Sequence, residues 1–200
     1  MAHPIEFYFD FSSPYGYMAS TKIDELGARY GREVIWRAIL LGVAFKATGG
    51  QPLPAVPLKG DYSRRDFVRS AVFYDVPFKT PTHFPISGVA PCRAFYWVDR
   101  KDPERAIALA KALLRAYFVD DVNVSNAEDT IAVCVKQGFN ADDVRAGIAD
   151  PSIKELTKTE VDNAIARGVF GSPYVVIDGE PFWGMDRFDQ VERWLAKGPW

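Results

Sequence analysis

The chain lacks several features that would fix its chemistry outright. Among 200 residues there are only two cysteines and two histidines. Cys92 and Cys134 form neither a CxxC pair nor a metal-ligand spacing, and read as buried small hydrophobes, so intrinsic dithiol–disulfide exchange is excluded. With His3 and His83 alone, a histidine-rich metal site and a histidine-based triad are both poorly supplied. No run approaches the ~18 consecutive apolar residues of a membrane span. An excess of positive charge is also missing. Twenty-four Lys and Arg against 26 Asp and Glu give a formal charge of −2, too little to neutralise a phosphate backbone, so nucleic-acid binding is disfavoured. The opening MAHPIEFYFDF has no basic region ahead of an apolar run and no small-residue cleavage site. It reads as mature sequence, and a cytoplasmic, reducing setting is expected.

Ordinary globular material fills the rest. Hydrophobic residues make up 48% and charged residues 25%, which excludes disordered, collagenous and fibrous classes. The length suits one large domain or a domain with an insertion. Aromatics reach 14%, consistent with a site for a flat organic ligand or with an aromatic core.

Residues 5–11 (IEFYFDF) have strand composition. Ser12-Ser13-Pro14 signals a helix start, and apolar spacing predicts one helix over 15–30, ended by Gly31. Residues 33–41 begin as a second strand. Residues 42–62, with Gly49, Gly50, Pro52, Pro54 and Pro57, read as a long loop. Helices then dominate to about 168, with starts at Asp102-Pro103, at Ser125-Asn126-Ala127-Glu128 (capping-box spacing) and at Asp150-Pro151. Tyr174–Ile177 is a strand, Asp178-Gly179 a two-residue hairpin turn, and Pro181–Trp183 the return strand. A final helix begins at Met185 or Asp186. Trp36 and Trp183 are expected in the core, and His83 as structural or exposed. Arg64-Arg65-Asp66 reads as a solvated helix face with some pull on an anion. Arg93 reads as a helix anchor, with the site as an alternative.

The order βαβ…ββα gives an α/β fold class: thioredoxin-like, with an all-helical insertion between the two halves. Residues 1–41 and 169–200 would form the thioredoxin-like part, and 42–168 the loop and helical insertion, as one compact unit. Gly171-Ser172-Pro173 precedes the third strand, where this layout places a cis-proline, making Ser172–Pro173 the candidate bond. Ser13-Pro14-Tyr15-Gly16 stands where a redox protein of this layout carries CxxC. A serine hydroxyl at a helix N-terminus suits an anion, and is equally an ordinary cap.

FYFDFSSPYGYMAS, PLKGDYSRRD and GVFGSPYVVIDGEPFWGMDR together resemble the 2-hydroxychromene-2-carboxylate isomerase family, allied to kappa-class glutathione transferases, over essentially the whole chain. The resemblance implies glutathione as cofactor, a small aromatic α-keto acid as substrate, and a homodimer. It places Ser13 against the glutathione sulfur, with Ser12 as the competing hydroxyl, and the Ser172 backbone, ahead of Pro173, beside the cysteinyl backbone. Asp186 would hold the α-amino group, with a routine helix cap as its other reading, and Lys59 a carboxylate. Tyr62 matches the same motif. Two departures stand out. Met185 replaces the usual Asn or Ser and offers only its backbone N–H, and Gly50-Gln51 stands where kappa-like members often carry Asn. The readings that follow are a glutathione-dependent isomerase, a kappa-like glutathione transferase, or a catalytically silent thioredoxin-fold binding module.

Overall fold

A computed structural model describes residues 3–200. Four strands form one mixed sheet in the order β2-β1-β3-β4. β1 (Ile5–Phe9) pairs parallel with β2 (Val34–Ala38) and antiparallel with β3 (Tyr174–Ile177), and β3 pairs antiparallel with β4 (Glu180–Trp183). β1 is central, and its IEFYF run is buried at nearly every position. Phe7 and Phe9 each pack edge-to-face against Trp36, with centroids 5.0 and 5.2 Å away, which fixes the β1–β2 register from one side. Asp178 and Gly179 turn the β3–β4 hairpin with φ of 53° and 89°, as that dipeptide predicts.

The helices between β1 and β2 differ from the single one expected. α1 (Pro14–Ser20) and α2 (Ile23–Arg29) are separate. At the break Ser20 Oγ and Thr21 Oγ1 bond back to the carbonyls of Tyr17 and Met18, an arrangement that competes with helix continuation. β2 also stops at Ala38, short of residue 41.

The long loop expected over 42–62 is mostly helical. α3 (Leu41–Thr48) ends in Gly49 at φ 71°, a 3-10 turn covers Leu53–Ala55, and α4 (Lys59–Phe73) follows. The irregular stretch thus shrinks to the segment holding the glycines and prolines. α5 (Val89–Asp99), α6 (Pro103–Phe118), α7 (Ala127–Lys136), α8 (Ala141–Ala149) and α9 (Pro151–Ala166) complete the helical part. Asp102 and Asp150 cap α6 and α9 as expected. α7 is capped by Asn126, whose Oδ1 accepts from Glu128 N at 2.9 Å; Ser125 instead bonds Asn123. The last helix does not begin at 185. Met185–Arg187 form a 3-10 turn, and α10 (Phe188–Lys197) follows.

The main core joins the inner face of the sheet to α1, α5 and α6 through Phe9, Phe95, Leu109, Leu113 and Phe118. Trp36 is in it; Trp183 is not. Trp183 lies on the edge strand, 55% exposed, packed edge-to-face against Phe170. No described helix is long and apolar enough to cross a membrane.

Candidate active site

The site is built where the ends of β1 and β2 meet the turn before β3. Asp10 follows β1 and is fully buried. Its Oδ1 accepts from Ser12 N (2.6 Å) and Ser12 Oγ (2.5 Å), and its Oδ2 accepts from Leu41 N (2.8 Å). Its own N–H donates to Ser172 Oγ at 2.9 Å. One residue therefore ties the start of α1, the start of α3 and the turn before β3. Burial pushes the Asp10 carboxyl up, against the pull of the Ser12 hydroxyl and of the Leu41 and Ser12 backbone amides. The Ser12 hydroxyl, the other candidate beside Ser13, donates its proton to Asp10.

Ser13 caps α1. Its Oγ accepts from Gly16 N at 3.0 Å and donates to the carbonyl of Ser172 at 2.8 Å. The bond from Ser172 to Pro173 is cis. The two segments approach so closely that a Cβ on Gly16 would lie 2.5 Å from Ser172 Oγ. A Ser13 side chain bridging 159 positions of sequence is more than a cap.

The remaining sequence-marked residues surround this point unevenly. Met185 is buried beside it, and α1 packs against its 3-10 turn. Asp186 is exposed, caps no helix, and among the described residues has Arg187 alone as an ion-pair partner, at 3.5 Å. Gly184 takes a φ of 109° and positions that turn. Lys59 is the exposed first residue of α4, and Tyr62 lies one turn further on, 62% exposed. Gly50 and Gln51 are exposed just past α3.

Sequence reasoning passed over two residues here. Tyr15, in the first turn of α1, donates its hydroxyl to Asp66 on α4. Burial and the Asp66 carboxylate raise the phenol's pKa, and the charges of Tyr62 and Asp186 add to the effect. Tyr15 thus ties the head of α1 to α4. Burial opposes ionisation of Asp66, yet hydrogen bonds from Tyr15 and Arg69 outweigh it and hold the carboxyl below its usual range. Arg64 and Arg65 are solvated as expected; Asp66 is not. An acid 51 positions from its partner leaves no local mark, although the Asp66–Arg69 spacing of a helix pair was readable.

His83 is exposed and contributes its carbonyl to Tyr117. Arg93 makes no hydrogen bond or ion pair among the described residues, and its Nε is buried. Cys92 and Cys134 are buried free thiols, both pushed up by burial. The described residues hold no cluster of metal-ligating side chains.

Residues 4–196 match the DSBA-like thioredoxin domain. A 2-hydroxychromene-2-carboxylate isomerase of Sphingobium xenophagum is 30% identical over 198 residues, covering 98% of this chain and 99% of that one. The chain belongs to the 2-hydroxychromene-2-carboxylate isomerase family. A solved structure of such an isomerase superposes with a TM-score of 0.85 at 25% identity, covering 96% of this chain and 94% of that chain. Glutathione S-transferase kappa 2 of Caenorhabditis elegans is 23% identical over 211 residues, 98% of this chain and 94% of its own. This chain thus has the thioredoxin-like fold with Ser13, and no thiol, at the head of α1.

Proposed function

We propose that this protein is a glutathione-dependent isomerase that interconverts 2-hydroxychromene-2-carboxylate and trans-o-hydroxybenzylidenepyruvate, or a close aromatic α-keto acid, in aromatic catabolism. The observation that carries it is the meeting of Ser13 Oγ with the Ser172 carbonyl at a cis-proline turn, in a chain with near full-length isomerase relatives and a kappa-class transferase relative.

The residues fit the tripeptide. Ser172 O keeps a lone pair for an extended ligand backbone while accepting from Ser13. Asp186 is exposed and suited to an ammonium group, and Lys59 is exposed at the start of α4 for a carboxylate. Met185 is buried and offers its main chain. Bound glutathione supplies a thiol nucleophile whose reversible addition to a conjugated carbon makes a double bond rotatable. The protein's part is orientation and charge stabilisation. Ser13 has one proton and gives it to Ser172 O, so stabilising a sulfur anion requires that proton to turn to the sulfur. The Gly16 amide, bonded to Ser13 Oγ, holds the oxygen in place as the proton swings.

The test is the interconversion followed by absorbance with and without glutathione. Acceleration that requires glutathione supports the reading; equal rates without it refute the cofactor. The kappa relative favours a second reading, a transferase. Stable adduct formation from glutathione and 1-chloro-2,4-dinitrobenzene, without isomerisation, would select it. The family resemblance also supports a homodimer in a reducing cytoplasm, which sedimentation at micromolar concentration checks for the dimer.

A further inference from the structure

The turn that meets Ser13 carries an indole packed on its backbone. A Cβ on Gly171 would lie 2.7 and 2.9 Å from Cδ1 and Cε2 of Trp183, and closer still to Nε1. Gly171 has no left-handed φ, so what its missing side chain provides is room for that ring. The strand carrying the ring is tied to the same turn. Trp183 pairs with Tyr174 across β3 and β4, and Gly184 N donates to Pro173 O at 3.1 Å. Consecutive Cα atoms are about 3.8 Å apart, so the indole sits one residue from the Ser172 carbonyl that accepts from Ser13. On the sheet face opposite Phe7 and Phe9, aromatics run from Tyr8 through Tyr174 to Phe170 and Trp183, each packed edge-to-face on the next. The first two are buried, and the last two are 41% and 55% exposed.

We propose that Trp183, backed by Phe170, is the wall on which the aromatic ring of the substrate lies. The inference rests on the aromatic α-keto acid reading above and adds the residue that selects the ring. Two half-exposed rings offer roughly 200 Å² of surface. That is far below the ~800 Å² per partner of a stable protein interface, and it suits one planar ring. The anchoring matters as much as the area. Phe170 holds one side of the indole and the Gly171 backbone another, so little side-chain freedom remains to be lost when a ligand packs there. The ring and the keto-acid chain of the substrate flank its conjugated double bond. A ring held over Gly171 therefore leaves that bond beside the Ser13 end of the turn.

The test compares wild type with Trp183→Phe, which keeps a smaller ring, Trp183→Leu, which loses the ring, and Gly171→Ala, whose methyl displaces the indole without altering it. Steady-state kinetics at saturating glutathione give KM for trans-o-hydroxybenzylidenepyruvate. Competition gives Ki for phenylpyruvate and for the ring-free 4-methyl-2-oxopentanoate, and calorimetry gives the glutathione Kd. Trp183→Leu should raise KM for the aromatic substrate and Ki for phenylpyruvate about three- to tenfold, and Trp183→Phe less. The glutathione Kd, kcat and the Ki of the aliphatic acid should stay within about twofold. Gly171→Ala should raise the same two aromatic constants, and with Trp183→Phe it decides the matter if the leucine variant does not fold. Equal weakening of the aromatic and aliphatic acids overturns the proposal, as do aromatic constants within twofold of wild type. Should wild type not bind glutathione, the cofactor reading falls by itself and calorimetric titration with phenylpyruvate decides. Binding weakened in Trp183→Leu sustains the wall, and unchanged or absent binding overturns it.

Discussion

At the scale of single residues the site turns on one proton. Ser13 Oγ donates to Ser172 O and accepts from Gly16 N, so its removal has a structural and a functional consequence of different sizes. Ser13→Ala loses a helix cap, about 1 kcal/mol. It also loses the donor for developing negative charge, for which a loss of about 10²-fold in kcat is expected. Turnover equal to wild type, with the stability drop present, would leave Ser13 a cap alone. Gly16→Ala tests the closeness of the two segments. Alanine favours helices, but its methyl would meet Ser172 Oγ, and overpacking of this kind costs about 1–3 kcal/mol. A lowered melting temperature is expected; an unchanged or higher one would show that the cis-proline turn yields freely.

At the scale of elements, local chemistry was legible and tertiary demands were not. Asp102-Pro103 and Asp150-Pro151 start α6 and α9 because a capping carboxylate and a fixed φ act within four residues. The split of α1 from α2 depends on back-bonding hydroxyls, and α3 starts where the Leu41 amide reaches buried Asp10. Neither leaves a periodic signal. Trp183 looked like core because its residue type is bulky and apolar, whereas exposure is decided by its place on an edge strand. Asp121, just past α6 with φ 61°, ties the loop before α5 to that helix. It accepts from Thr82 N and Thr82 Oγ1, both at 2.7 Å, and from Lys79 Nζ at 2.9 Å. The Thr82 amide, its hydroxyl and the lysine lower the carboxyl's pKa. A depressed acid stabilises the fold above its unfolded value, ~3.9, and that gain disappears as pH falls toward the folded value. Asp121→Asn should therefore be less stable than wild type at pH 7, and the gap should close toward pH ~2. Urea titrations across that range would contradict the assignment if the gap stayed constant.

At the scale of the molecule, the order βαβ…ββα was readable from strand and turn composition, and it constrains the sheet to few topologies. The site was readable only on its motif wall, the head of α1 and the Ser172 turn. Ser13, Ser172 and Asp186 stand in motifs, whereas Tyr15 meets Asp66 only because α4 folds back over α1, and no spacing within α4 announces a partner 51 positions away. A ligand that spans both walls must couple them. Glutathione at ~100 times its Kd would add ~2.7 kcal/mol to the folded state, and for a chain of this length each kcal/mol moves Tm by about 2–4 °C, so a rise of about 5–11 °C is expected. The two walls are held by Tyr15–Asp66, so Tyr15→Phe should lower the ligand-free Tm and shrink the glutathione-induced rise together. If the rise stays whole while the ligand-free Tm falls, α4 is scaffold and the tripeptide rests on the motif wall alone.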